Sequence, residues 1–344
     1  MQTEITKSGP LLLSDGNLSQ VGWARQPLLD CNLAQANFYP GRFMQAFRLK
    51  RWDYYAVFTP EHFFSATIAD LGYAGNIFVY MLNFSTGELH EESLVIPLSR
   101  GVLLPRNSTT GDASFNDQHA SLSFRRLPDQ RVISVSWPDF NSGRGLNAEI
   151  ILKSLPSHES MNIIIPIGKK RFYYNHKVNC LPAKGFLQYG DVLEEISPSK
   201  SVGSLDWGRG VWQYSSFWNW ASASGYLPDG RAFGLNLGMG FGDTSRATEN
   251  CLTLDGKLHK LNHVKFSYDP QNYHAPWEFR DSEERLQLKF VPFKERLART
   301  NLLLIFSEVH QMFGQYSGWV ITDEGEEIAI DGLTGFAEEH HARW

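Results

Sequence analysis

Along most of the chain, apolar and aromatic residues come in short runs closed by glycine, proline, serine or aspartate. Arg51–Phe58 (RWDYYAVF), Ile77–Phe84 (IFVYMLNF), Arg131–Trp137 (RVISVSW) and Ala148–Leu152 (AEIIL) are rich in the β-branched and aromatic side chains that suit a pleated surface. Turn residues such as Ser85-Thr86-Gly87 bound them. The second half repeats the style at Gln213–Ser222, Arg231–Leu237, Val264–Tyr268, Leu286–Val291, Leu302–Phe306 and Gly318–Thr322. Helical periodicity is scarce. Thr59–Phe64 suggests one turn, and Lys294–Arg299 reads as a short helix or a charged hairpin turn. The pattern predicts an all-β protein.

The runs also echo one another. FFSATIADLGYAGN, with Phe64, parallels AFGLNLGMGFGDT, with Phe233, and Gly87-Glu88-Leu89-His90 parallels Gly256-Lys257-Leu258-His259. Both pairs share one offset: 233 less 64 and 256 less 87 each give 169. Upstream, Trp52-Asp53-Tyr54 resembles Trp218-Asn219-Trp220. Asp206 precedes Trp212 by six residues, as Glu338 precedes Trp344. These echoes predict two β-lobes of similar topology, residues 1–195 and 196–344, with a seam of linker-like composition at 186–205. Gly234, Gly238, Gly240 and Gly242 fit strands where backbones approach closely.

The 344 residues suffice for two domains, and 42% hydrophobic content supports a sizeable core. A net charge of −5 argues against a nucleic-acid partner. Aromatics reach 13%, which suits a β-core and apolar pockets. Cys31, Cys180 and Cys251 are odd in number and far apart, which predicts reduced thiols. No stretch near Met1 reads as a signal peptide and no run is long enough to span a bilayer, so the expected location is cytoplasmic.

The densest chemistry lies at Asp206–Gly225 (DWGRGVWQYSSFWNWASASG), with four tryptophans, one arginine and one aspartate. On an extended strand, Trp212, Tyr214, Ser216, Trp218 and Trp220 share one face and Asn219 takes the other. Such a stripe lines a pocket for an apolar ligand or packs a barrel wall. Asp206 and Arg209 read as a charged pair among the rings, which burial requires to be paired or functional. Asn236, Glu249 and Asn250 lie among small residues, and a buried Glu249 beside an asparagine would make a general acid. At the C-terminus (GFAEEHHARW), Glu338 and His340 share a face and suit proton transfer. Asp206, Glu249, Glu338 and His340 are therefore the candidate catalytic groups. Trp52, Arg209, Trp212, Tyr214, Trp218, Asn219, Trp220, Asn236 and Asn250 are the candidate ligand-binding residues. No metal set with a third ligand occurs, nor a phosphate-binding loop or nucleophile elbow. GMGFG lacks the strand–loop–helix setting of a dinucleotide site, so no cofactor is expected.

Five segments carry a family resemblance: RGVWQYSSFWNWASASG, GLNLGMGFGDTSRATEN, DGKLHKL, FGQYSGWV and GFAEEHHARW. Over nearly its whole length the chain resembles the bacterial domain-of-unknown-function family 2804, which carries no assigned activity. More distantly it is similar to the superfamily of carotenoid hydratase, tocopherol cyclase and lipocalin-like Diels–Alder cyclases. That resemblance implies two tandem lipocalin-like (calycin-type) antiparallel β-barrels or half-barrels that handle long apolar or isoprenoid molecules. It also implies olefin protonation by an acid, with aromatic faces stabilising the cation. The His-containing acidic motif of the hydratases is not reproduced around Asp206, where Arg209 stands instead. The expected function is binding of an apolar small molecule, lipid or isoprenoid-like. The alternative is a cofactor-independent hydratase, isomerase or cyclase. A homodimer through exposed aromatic strands is a further expectation.

Overall fold

The computed structural model describes residues 2–302 and 305–343, apart from the side chains at 42, 43 and 302. Trp344 and part of the run expected at 302–306 lie outside the described residues. Helix is confined there to single turns at Leu33–Gln35, Arg42–Gln45 and Phe140–Gly143. No helix among them is long and apolar enough to cross a membrane.

The strands form two curled antiparallel half-barrel sheets, of thirteen and nine strands, and a two-stranded parallel ribbon. In the first sheet, Lys50–Phe58, His62–Asp70, Ala74–Asn83 and Leu89–Pro97 make a meander. In the second, Ser215–Tyr226, Ala232–Met239, Cys251–Leu254 and Lys257–Lys260 do the same. Each meander's first strand pairs on its other side with its sheet's last strand, Val202–Gly210 in one case and Glu327–Arg343 in the other. Beyond these lie Arg171–Tyr189 and Ile305–Ile321. The spacing repeat thus follows equivalent hairpins: Gly87 and Gly256 both sit at positive φ in the turns that join the third and fourth meander strands.

Each sheet curls over its own core. Val57, Ile68, Val79, Ile150 and Trp207 fill the first, and Phe233, Trp277, Phe279, Phe290 and Tyr316 fill the second. A further apolar layer joins the two sheets through Phe58, Phe63, Tyr80, Phe313 and Phe336. The Phe63 and Phe313 rings meet at 4.8 Å. Burying each such ring contributes on the order of 2–3 kcal/mol. All nine residues of Val202–Gly210 and of His62–Asp70 are buried, because these strands have a core on one face and the other sheet on the opposite face.

Three local readings change. Residues 59–61 form a turn in which Thr59 Oγ1 accepts the His62 N–H at 2.8 Å, and strand begins at His62. Lys294–Arg299 is neither helix nor turn but part of the strand Leu286–Leu302, bulged between Pro292 and Lys294. Residues 186–205 are strand and hairpin of the first sheet, and the chain passes between sheets at 211–214.

Candidate functional site

Strand alternation decides which side chains meet. On Val202–Gly210, Leu205 and Trp207 point into the first core, so Asp206 points toward the second sheet. On Ser215–Tyr226, Ala221 and Ala223 point into the second core, so Trp218 and Trp220 point toward the first sheet. The layer between the sheets therefore collects Asp206, Glu338, Trp218 and Trp220.

Asp206 is fully engaged. Its Oδ1 accepts from Asn175 Nδ2 at 2.5 Å and from the Trp52 indole at 3.1 Å, and its Oδ2 lies 2.9 Å from Lys177 Nζ. Lys177 is 4% exposed, places its ammonium 3.8 Å from the Trp220 ring centroid and lies 3.5 Å from Glu249 Oε2. Burial works against its charge, yet Asp206 and Glu249 hold it above the usual lysine range. Burial pushes Glu249 above the usual carboxylate range despite Lys177, and Asp206 adds to the rise. Its Oε2 is buried without a hydrogen bond. Gly238 makes the room, since a methyl group there would sit 2.1 Å from Glu249 Oε1. Asn236 bridges the layer, accepting from the Trp220 indole at 2.7 Å and donating to the Glu249 backbone carbonyl at 2.8 Å.

Glu338 lies beside this group on Glu327–Arg343. Its Oε2 accepts from Gln311 Nε2 at 3.1 Å, and the Trp218 side chain also donates to it. Tyr80 donates to Gln311 Oε1 and stands 3.0 Å from the Tyr54 hydroxyl. Burial lifts Glu338 to about 7, although Arg296 and Lys177 pull the other way. Arg296 is itself held by both oxygens of Glu91, at 2.8 and 2.6 Å. His340 packs against Trp218 with ring centroids 4.0 Å apart and planes tilted by 42°, and burial lowers it to about 3, so its imidazole is neutral.

The rings that were expected to line a cavity close on one another. Trp52, Tyr173, Trp212 and Phe241 form a cluster with centroid separations of 5.1–6.3 Å, and Trp218 joins through Phe241 at 5.5 Å. Outside Phe241 lies an open cleft of about 500 Å³, lined also by Ile167, Gln213 and Phe217. Phe241 thus forms a wall between the cleft and the ring cluster. A second cleft of about 510 Å³ adjoins through Gly168 and Gln213 and is rimmed by Lys169, Lys170 and Arg171.

Other candidates lie elsewhere. Arg209 does not pair with Asp206. Three positions apart on a strand, they face opposite ways, and Arg209 meets Asp53 at 2.8 Å inside the first half-barrel. Trp212 and Tyr214 precede the strand that carries Trp218 and Trp220, and Tyr214 is 45% exposed. Asn219 turns into the second half-barrel and donates to Tyr268 at 3.0 Å. Asn250 braces the chain beside Glu249, accepting from Gly238 N at 2.7 Å and donating to Asn262 O at 2.8 Å. Sequence reading overlooked Lys177, Tyr173, Gln311 and Phe241. The signal for Lys177 was a lone charge in the run FYYNHKVNC. Ligand-type atoms of Glu61, His62 and Glu194 come together at the first sheet. His62 is satisfied there without a metal, by Glu194 at 2.7 Å and by the Asn83 amide at 3.0 Å.

Residues 2–344 match the family described as Domain of unknown function (DUF2804). The chain belongs to that family. No curated protein matches it. Among solved structures, it is similar to CghA, crystallised with Sch210972, at 10% identity and a TM-score of 0.50, over 86% of this chain and 88% of that one. Kievitone hydratase from Nectria haematococca aligns at 12% identity with TM-score 0.47, over 86% and 88% of the two chains. An AttH-like protein from Nitrosomonas europaea aligns at 14% with TM-score 0.47, over 88% and 96%. The likeness to CghA places this family member in the lipocalin-like fold class and is a likeness of fold alone.

Proposed function

We propose that the protein binds an apolar, unsaturated small molecule between its two sheets and acts on it by acid–base catalysis without a cofactor. One observation carries this reading: two buried carboxyl groups, Asp206 and Glu338, and the half-buried Glu249 share a ring-lined layer with one lysine, Lys177. Arg296 is already committed to Glu91. Three carboxylates beside one ammonium are too costly to bury, so a carboxylic acid persists at neutral pH.

Glu338 is the proton donor. Its O–H proton passes to one carbon of a double bond; the new C–H bond forms as the π bond breaks, leaving positive charge on the other carbon. The faces of Trp218 and Trp220 stabilise that charge. Three endings balance the step. Water adds through oxygen and gives its surplus proton to a carboxylate, a neighbouring C–H gives up its proton to Glu249, or a second double bond closes a ring before proton loss. These are hydration, isomerisation and cyclisation. Neutral His340 orients Trp218 and supplies no proton. The basic rim at Lys169, Lys170 and Arg171 favours an amphiphile whose polar head stays at the mouth.

Unsaturated fatty acids and terpene alcohols incubated in D₂O test the reading, because every ending begins with protonation at carbon. Mass spectrometry should find carbon-bound deuterium with the native protein and at least about a hundredfold less with Glu338→Gln. Uptake without deuterium would leave a carrier. Neither uptake nor deuterium would overturn the proposal.

A further inference from the structure

The two lobes carry the same carboxyl site twice. Asp206 lies in register with Tyr54 on one side and Lys177 on the other. Glu338 lies in register with Trp220 on one side and Gln311 on the other. In each lobe the acid is on the closing strand, the first meander strand flanks it, and the indole two residues before the flanking partner reaches the carboxyl group. That indole is Trp52 for Asp206 and Trp218 for Glu338. The third strand then supplies the remaining contacts: Lys177 at 2.9 Å and Asn175 at 2.5 Å from Asp206, and Gln311 at 3.1 Å from Glu338. The sequence echo of Trp52-Asp53-Tyr54 with Trp218-Asn219-Trp220, and of Asp206 with Glu338, is the trace of this duplication.

The copies differ at one decisive place. We propose that Lys177 and Gln311, at equivalent positions beside duplicated acids, give them opposite roles: the ammonium locks Asp206 into an ion pair, and the neutral amide leaves Glu338 free to hold and donate a proton. Lys177 and Gln311 are thus positioning residues. The surroundings of Glu338 agree. Tyr54 and Tyr80 face it from the first sheet as neutral phenols, Arg296 is held by Glu91, and His340 is a neutral ring. Asp206 and Lys177 reach it as a compensated pair. Burial therefore decides, and lifts the carboxyl group to about 7. The purpose of the division rests on the acid-catalysis reading, whereas its physics does not.

Carboxyl ¹³C resonances of the full-length protein, titrated from about pH 4 to about pH 9, test it, with Glu338→Gln identifying the signal. In the native protein the Glu338 signal should titrate near neutrality. Gln311→Lys should bring its midpoint down by about one to three pH units. Gln311→Met, similar in shape but uncharged, should leave it high, and Lys177→Met should raise it. A native Glu338 that titrates with the exposed glutamates overturns the inference, whether or not any variant folds. So does a Gln311→Lys protein in which the signal does not move. If the titrations hold and no deuterium enters any substrate, the catalytic reading falls alone. If deuterium transfer depends on Glu338 but its signal titrates ordinarily, the division of roles falls alone.

Discussion

A hydrogen atom at position 238 is what allows the Glu249 carboxyl group to lie where it does. Gly238→Ala should cost about 1–3 kcal/mol, read from urea unfolding, because the new methyl would overlap the Glu249 side chain from its Cγ to its carboxyl oxygen and force it out of its place. An unchanged midpoint would mean that Glu249 swings aside freely. Glu338 makes a second prediction at this scale. Its unfolded value is 4.5 and its folded value about 7, so between them the folded chain keeps a proton that the unfolded chain has released. Stability from this group is complete below pH 4.5 and is lost as pH rises through about 7. Glu338→Gln has no such proton to lose. Relative to native protein the variant should gain on the order of 2–4 kcal/mol between about pH 4 and about pH 8. Parallel pH profiles would show that the carboxyl group is not held neutral.

Among the elements, the turn that carries Phe241 bears on how a ligand would enter. Gly240 and Gly242 both sit at positive φ, and Phe241 between them separates the cleft from the ring cluster. Phe241→Ala should speed uptake of parinaric acid, a fluorescent polyene fatty acid, several-fold in stopped-flow mixing; an unaltered rate would place the entrance elsewhere. The strands and hairpins were legible in the sequence because β-branched runs and turn residues act locally. The pairing of Arg209 was not, although its odd spacing from Asp206 already separates the two, because Asp53 comes from a distant strand. The passage between sheets at 211–214 was hidden because Val211-Trp212-Gln213-Tyr214 contains no glycine or proline. Lys294–Arg299 read as a turn because its charges look like loop composition, yet they sit on a long strand whose Leu297 is 54% exposed. Glu338 could be picked from its neighbours, but its environment could not: Gln311, Tyr80 and Arg296 lie far away in the chain.

For the molecule as a whole, the layer between the sheets combines buried rings with the carboxyl cluster and is pinned by Arg296 and Glu91, one from each sheet. Arg296→Met should cost about 2–4 kcal/mol, because it leaves Glu91 facing apolar rings, and adding Glu91→Gln should restore most of the loss. Calorimetry should show one unfolding transition for both sheets; two well-separated transitions would show that the layer couples them weakly. The three cysteines bear on how the Phe241 turn can be probed. Cys31, Cys180 and Cys251 are buried, and burial lifts each thiol to about 12, so almost no thiolate is offered to an alkylating reagent at neutral pH. A maleimide dye added to a Phe241→Cys variant would therefore couple at the doorway without any native cysteine first being removed.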